Sequence, residues 1–303
     1  MIKPTSFWQK SLAILTCTSL TSGYVTIPKQ AQAVTPSPTA RIDLAQRVQS
    51  IPLYVPPPET TSSRGYCPEF LEPAISTLID SNTFASGRWG VHIETLRDGK
   101  VLYTRNANSA LIPASNIKIL TSAAALQRLT PQATIRSRSL RQWITEVLAR
   151  SNNSYADILL RFIGGTGAVK QTLTQLGVNP NSYQQVDGSG LSRGNRATAR
   201  SMVETLRVMN FAKGNDVFYQ SLPVAGMSGT LRRRFRSTSV QGKVHAKTGT
   251  LRGVRALSGY LEHPEYGTIV FSIMANQSNQ PGSTLVWGVD QIVLRLNQVT
   301  SCE

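Results

Sequence analysis

The sequence predicts an α+β domain of the wider α/β class. One antiparallel sheet is flanked by helices on both faces, with a helical subdomain in the middle of the chain. Two observations predict this. Strand-like stretches lie near both ends of the folded region, one hairpin early and three consecutive strands late, and several amphipathic helical runs lie between them. Strands contributed by distant parts of the chain pair in one sheet, and the intervening helices have only its two faces to cover.

The chain has 303 residues, 40% apolar and 16% charged, which suits a globular domain and excludes a disordered chain or a coiled coil. The first 33 residues have the layout of a secretory signal: Lys3 and Lys10, an apolar stretch from about Leu12, and "AQA" at Ala31–Ala33. The alternative is an uncleaved N-terminal anchor. Cleavage after Ala33 removes Lys3, Lys10 and Lys29 and no acid, lowering the net charge from +16 to +13. Export makes nucleic acid a poor partner. The remaining positive charge suits acidic polymer or lipid headgroups, and no membrane span is expected after cleavage. Residues 34–66, with "TPSPT" and "VPPPETTSS", read as an extended linker.

The folded domain is expected over 67–303. "PEFLEPAISTLID" places Phe70, Leu71, Ala74, Ile75, Leu78 and Ile79 on one helical face, with Pro68 in the first turn. "RWGVHIETL", "RDGK" and "VLYTRN" form a hairpin turning at Asp98-Gly99. Helices are expected over Ser115 to about Leu129, Ser139 to Ala149, Asn153 to about Phe162, Ala168 to Leu176, and from near Thr198 through Met209. "KVHAKTG", "GVRALSGYL" and "GTIVFSIMA" are three consecutive antiparallel strands, and "TLVWGVDQIVLRLNQV" is the closing helix.

Cys17 lies in the signal, which leaves Cys67 and Cys302 at the two ends of the domain. In an oxidising compartment these two form a bridge or remain free thiols. A bridge closing so long a loop contributes about 4 kcal/mol in the chain-entropy model.

Within "ASNIKIL", Lys118 sits on an apolar helix three residues after Ser115. An ammonium there costs free energy unless it snorkels to solvent, is paired, or is used as a base. Ser115 and Lys118 share a helix face, and Ser115 lies at a first turn with free backbone N–H groups. The arrangement suits a nucleophile with an adjacent base and an oxyanion donor, although Ser-x-x-Lys alone is common. Two further stretches sharpen it. "RSNNSYADILL" puts Ser151 and Asn153 at a helix entrance, where an ordinary cap is the other explanation. "HAKTGTLRG" puts Lys247, Thr248, Gly249 and Thr250 at a strand end. Two lysines converging on one serine disfavour each other's charged forms, so a neutral amine is available as base. His92, His245 and His263 are scattered without metal-ligand spacing, and neither a metal nor another cofactor is required.

The order Ser-x-x-Lys, Ser-x-Asn, Lys-Thr-Gly resembles the three-part signature of penicillin-recognising acyl-serine enzymes. "LIPASNIKILTSAAAL", "VDGSGLSRGNRAT", "LPVAGMSGTLRRRF" and "AKTGTLRGVRALSGYL" resemble segments of the D-alanyl-D-alanine carboxypeptidase/endopeptidase family, peptidase S13, the low-molecular-mass class C penicillin-binding proteins. The resemblance implies a beta-lactamase/transpeptidase-like fold and an exported, periplasmic or cell-wall enzyme. Its substrates would be peptidoglycan stem peptides ending in D-Ala-D-Ala, and beta-lactams would inhibit it. Ser115 would be the acylated nucleophile and Lys118 its base. Ser151 and Lys247 would complete the proton network, and Asn153 would orient Lys118 and bind substrate. Thr248 and Thr250 would bind the terminal carboxylate beside Gly249, and the backbone N–H groups of Ser115 and Thr250 would form the oxyanion hole.

Two departures stand out. Full-size members carry large domains between the first two motifs, whereas here a short helix and "PQATIRSRSLRQW" separate Lys118 from Ser151. Ser228 in "GMSGT" stands where the family often has an acid. The competing expectations are a beta-lactamase or esterase on the same fold, and a non-catalytic peptidoglycan-binding module.

Overall fold

A computed structural model describes residue 65 and residues 67–301. The chain divides into two units, Met1–Glu59 and Thr60–Glu303, and every described residue lies in the second. The expected signal and most of the expected linker fall outside the described residues, as does Cys302. Cys67 is disulfide-bonded.

After a 3₁₀ turn at Pro68–Phe70, α1 spans Leu71–Ile79 and buries Leu71, Ile75, Leu78 and Ile79. Phe70, expected on the buried face, is instead 53% exposed, because it sits in the 3₁₀ turn and not in the α-helical register. Strands β1 (Arg88–Thr95) and β2 (Val101–Arg105) form the expected hairpin, with a register shift at Ile93/Glu94.

The segment that carries Ser115 starts differently from expectation. Residues Ala114–Asn116 form a 3₁₀ turn, and α2 proper spans Ile117–Arg128. Ala114 has φ 48, a left-handed conformation that keeps the chain from entering an α-helix at Ser115. Ten of the twelve α2 residues are buried, the mark of a helix enclosed on all sides.

A two-residue hairpin follows, β3 (Thr134–Ile135) and β4 (Arg138–Ser139), with Thr134 opposite Ser139 and both turn residues, Arg136 and Ser137, at positive φ. Ser139 then caps α3 (Leu140–Leu148) in a reciprocal box with Gln142. Next come α4 (Asn153–Phe162), capped by Asn152, and α5 (Gly165–Gln175), which begins three residues earlier than expected. The short pair β5 (Tyr183–Gln184) and β6 (Arg196–Ala197) brackets a loop. Then α6 (Ala199–Phe211) is capped by Thr198 with Ser201, and α7 spans Asn215–Gln220. At six residues α7 is too short to show a helical period in sequence.

The last strands are β7 (Val244–Leu251), β8 (Val254–His263) and β9 (Gly267–Asn276), before α8 (Gly282–Leu296). The main sheet has the order β2-β1-β9-β8-β7 and is antiparallel throughout. On one face α1 and α8 cover Trp89, Val91, Ile93, Phe271 and Ile273. On the other, α2 through α7 share a core with Tyr260 and Val270. No helix among the described residues is long and apolar enough to cross a membrane.

Candidate active site

Lys118 is the centre of the site. Its side chain is 0% exposed, so it does not snorkel. Its Nζ donates to Ser115 Oγ at 2.9 Å, to Asn153 Oδ1 at 2.8 Å and to the backbone carbonyl of Ser189. Ser115 Oγ in turn donates to that same carbonyl at 3.3 Å. Burial pulls the Lys118 amine down to about 8, against the opposing charges of Asp157 and Asp187, so a neutral amine is accessible near neutral pH.

The second lysine, Lys247, is also 0% exposed. Its Nζ donates to Ser151 Oγ at 2.8 Å and to Thr248 O at 3.0 Å. Burial first, and the neighbouring Lys118 second, hold it well below the usual lysine range. Ser151 has φ 57 and sits immediately outside α4, while Asn152 makes the cap hydrogen bond to Tyr155 N. Ser151 therefore is not spent on capping, and its hydroxyl faces Lys247.

Local packing fixes the Ser115 turn against the sheet. Asn116 Nδ2 donates at 2.6 Å to Ser258 Oγ on β8, which donates to Ser272 on β9. Edge strand β7 presses on the turn at Gly249, where a Cβ would lie 2.6 Å from Pro113 O. The glycine of Lys-Thr-Gly is therefore required by a backbone-to-backbone approach. The 223–225 segment pairs with β7 as far as Ala246, and Thr248 and Thr250 face the cleft beyond it.

That cleft, of ≈ 280 Å³, is lined by Ser115, Ser151, Thr248 and Thr250 together with Thr230, Arg234 and Val286. It is this cleft, and not a roomier cavity of ≈ 550 Å³ lined by Lys170, Tyr183 and Arg196, that holds a hydroxyl paired with an amine. Thr248 Oγ1 donates to Thr230 Oγ1 at 2.7 Å. Arg234 is ion-paired with Asp290 of α8, both mostly buried. Burial pushes the Asp290 carboxyl up and Arg234 opposes it.

All eight expected residues of the site thus fall at one place. Asn116, Ser189, Thr230, Arg234 and Asp290 were not singled out from sequence. His245 stacks on Tyr219 at 4.4 Å and is held below its usual range by burial. His92 pairs with Glu94 at 3.2 Å, and His263 Nδ1 accepts from Glu265 N and Tyr266 N. Among the described residues no group of histidine, cysteine and carboxylate side chains could hold a metal ion.

This fold, an antiparallel sheet between helical layers, is the fold of penicillin binding protein 4 and class A beta-lactamases. The crystal structure of penicillin binding protein 4 from Haemophilus influenzae, complexed with a beta-lactam, superposes with TM-score 0.64 at 15% identity, over 73% of this chain and 98% of that one. TLA-3 extended-spectrum beta-lactamase gives 0.63 at 16% identity, over 76% and 98%. The chain belongs to the D-Ala-D-Ala carboxypeptidase 3 (S13) family, whose model matches residues 71–138 and 130–296.

A D-alanyl-D-alanine carboxypeptidase of Actinomadura sp. (strain R39) is 39% identical over 176 residues, 53% of this chain and 32% of that protein. Penicillin-sensitive carboxypeptidase A of Dictyostelium discoideum is 35% identical over 184 residues, 54% and 35%. The chain therefore spans about a third of the length of these curated relatives. The two matched segments of the family overlap over 130–138, a stretch that takes in β3 and the turn into β4.

Proposed function

We propose that the protein is an exported serine-type D-alanyl-D-alanine carboxypeptidase/endopeptidase that cleaves peptidoglycan stem peptides through an acyl-serine intermediate and is inhibited by beta-lactams. The observation that carries this reading is the pair of fully buried lysines, each bonded to a cleft serine: Lys118 to Ser115 and Lys247 to Ser151.

In this mechanism neutral Lys118 takes the Ser115 proton as Oγ attacks the carbonyl of the penultimate D-alanine. The developing oxyanion is met by the backbone N–H groups of Ser115 and Thr250. Ser151, with Lys247 behind it, passes a proton to the departing amine, and free D-alanine leaves. Water then hydrolyses the ester and regenerates Ser115. The terminal carboxylate of the substrate lies against Thr248 and Thr250. Arg234 supplies the positive charge there, since Lys247 is buried and already engaged with Ser151 and Thr248 O. The positive net charge, +13 once the signal is removed, favours approach to acidic wall polymer.

A beta-lactamase would need rapid hydrolysis of the acyl-enzyme by a carboxylate with a positioned water. The two carboxylates that act on Lys118, Asp157 and Asp187, instead accept hydrogen bonds from backbone N–H groups at 2.6–2.9 Å. That favours the peptidase.

The test is D-alanine release from a diacyl-D-Ala-D-Ala peptide by the purified protein, beside the same peptide with a C-terminal amide. The free acid is expected to be the preferred substrate. Arg234→Gln is expected to cost about 10–100-fold in kcat/KM on the acid, the worth of one charge-assisted hydrogen bond, and to leave the amide within about threefold. No release from either peptide would exclude the carboxypeptidase. Equal losses on both would remove Arg234 from the carboxylate site.

A further inference from the structure

We infer that Asp157 is a positioning residue of the acylation site, fixing the 187–190 turn so that the Ser189 carbonyl and the Ser115 hydroxyl share the Lys118 amine. The inference rests on the reading of Ser115 as nucleophile and Lys118 as base.

The geometry is a relay from α4 to the base. Asp157 lies one helical turn after Asn153, so both reach the same side of α4. Its Oδ1 accepts from Gly188 N at 2.9 Å and from Ser189 N at 2.8 Å. Ser189 is 1% exposed, and its carbonyl accepts from Lys118 Nζ and from Ser115 Oγ. One peptide residue thus connects the carboxylate to the amine. Asp187 braces the other side of the turn, accepting from Gly190 N at 2.6 Å, Ser192 N at 2.7 Å and Asn195 Nδ2 at 2.9 Å.

Proton counting shows what the relay does. A charged lysine has three N–H donors, and the three acceptors around Lys118 are Ser115 Oγ, Asn153 Oδ1 and Ser189 O. A neutral amine has two N–H bonds and one lone pair. The Asn153 and Ser189 oxygens can only accept, so they take the two N–H bonds. The lone pair is then left pointing at the remaining partner, the Ser115 hydroxyl, whose proton it is to receive. If the Ser189 carbonyl moves away, that orientation is lost.

Asp157 also contributes its charge. The charged groups facing Lys118 are Lys247 of β7, Asp157 of α4 and Asp187 of the turn; burial lowers the amine while the two carboxylates raise it. Removing one carboxylate charge must therefore make Lys118 titrate at lower pH.

Two variants separate placement from charge. Asp157→Asn keeps an oxygen acceptor for the two N–H groups and removes the charge. Asp157→Ala removes both. Two readouts are followed in each: the pH profile of D-alanine release, and the titration of Lys118 itself by NMR of protein carrying carbon-13 at the lysine ε position, assigned by the signal absent from Lys118→Met. Asp157→Asn is expected to move both the acidic limb and the Lys118 titration to lower pH by about one pH unit. Asp157→Ala is expected to lower the plateau rate by more than about tenfold through misplacement of the amine. A Lys118 titration unchanged in Asp157→Asn, or a full plateau rate in Asp157→Ala, overturns the inference. If the wild-type protein releases no D-alanine while the Lys118 titration still moves, the relay stands and the peptidase reading fails.

Discussion

Ser115→Ala is expected to lower D-alanine release by about 10⁴-fold or more, the order seen when a serine nucleophile is removed. Covalent labelling by a beta-lactam should vanish in the same variant. The structure explains why no other group would substitute. The second cleft serine, Ser151, is bonded to Lys247, and Lys118 makes its bonds to Ser115, Asn153 and Ser189. Removal of the Ser115 hydroxyl leaves Lys118 hydrogen-bonded to Asn153 and Ser189, so the melting temperature should change little. Release that persists in Ser115→Ala would show the nucleophile to be elsewhere.

Gly190→Ala is expected to combine the second-largest loss of activity with the largest loss of stability. Gly190 has φ 83, and a Cβ there would overlap the carbonyl of Ala114 and fall 2.8 Å from Ser115 N. The obstructing atoms are backbone of the Ser115 turn, which Asn116, Ser258 and the pressure of β7 hold in place. Strain at positive φ plus the overlap should cost about 3 kcal/mol or more. That corresponds to roughly 6–12 °C in Tm for a domain of this size. Relief of the overlap would push Ser115 from its place and slow beta-lactam acylation by about 100-fold. Unfolding followed by circular dichroism and acylation followed with a fluorescent penicillin measure the two effects. Wild-type values of both would mean that the 187–190 turn yields freely and does not set the position of Ser115.

The sheet and most helices were legible because each advertises itself locally. Asp98-Gly99 marks the hairpin turn, Ser139 with Gln142 marks a helix start, and β9 carries a long apolar run from Ile269 to Ala275 broken only by Ser272. The eight motif residues were legible as chemistry because Ser115 and Lys118 are three apart across the entrance to α2, Ser151 and Asn153 flank another helix start, and Lys247 to Thr250 are contiguous.

What was not legible depends on backbone atoms and long separations. The Ser189 carbonyl is supplied by a loop 71 residues beyond Lys118, and a carbonyl carries no residue signature. Asn116 reads as a helix residue, yet its amide anchors the nucleophile turn to Ser258, 142 residues away. Arg234 is one of three consecutive arginines, and only its packing against Asp290 selects it for the cleft. The 3₁₀ entry to α2 follows from the left-handed Ala114, a conformation that an alanine does not announce. Phe70 followed the helical period but lies in the 3₁₀ turn just before the helix begins at Leu71.

The β3–β4 hairpin bears on how the domain tolerates added sequence. Thr134 and Ser139 are directly paired, so the chain leaves the domain and re-enters it at points about 5 Å apart. Any folded module whose own ends lie that close could be spliced in at Arg136–Ser137 as a side branch. Neither the hydrogen-bonded box of α3 nor the serine–lysine pairs would need to move. The domain is in this sense a chassis with a ready-made port. A whole module could be plugged in or removed there while the core stays as it is.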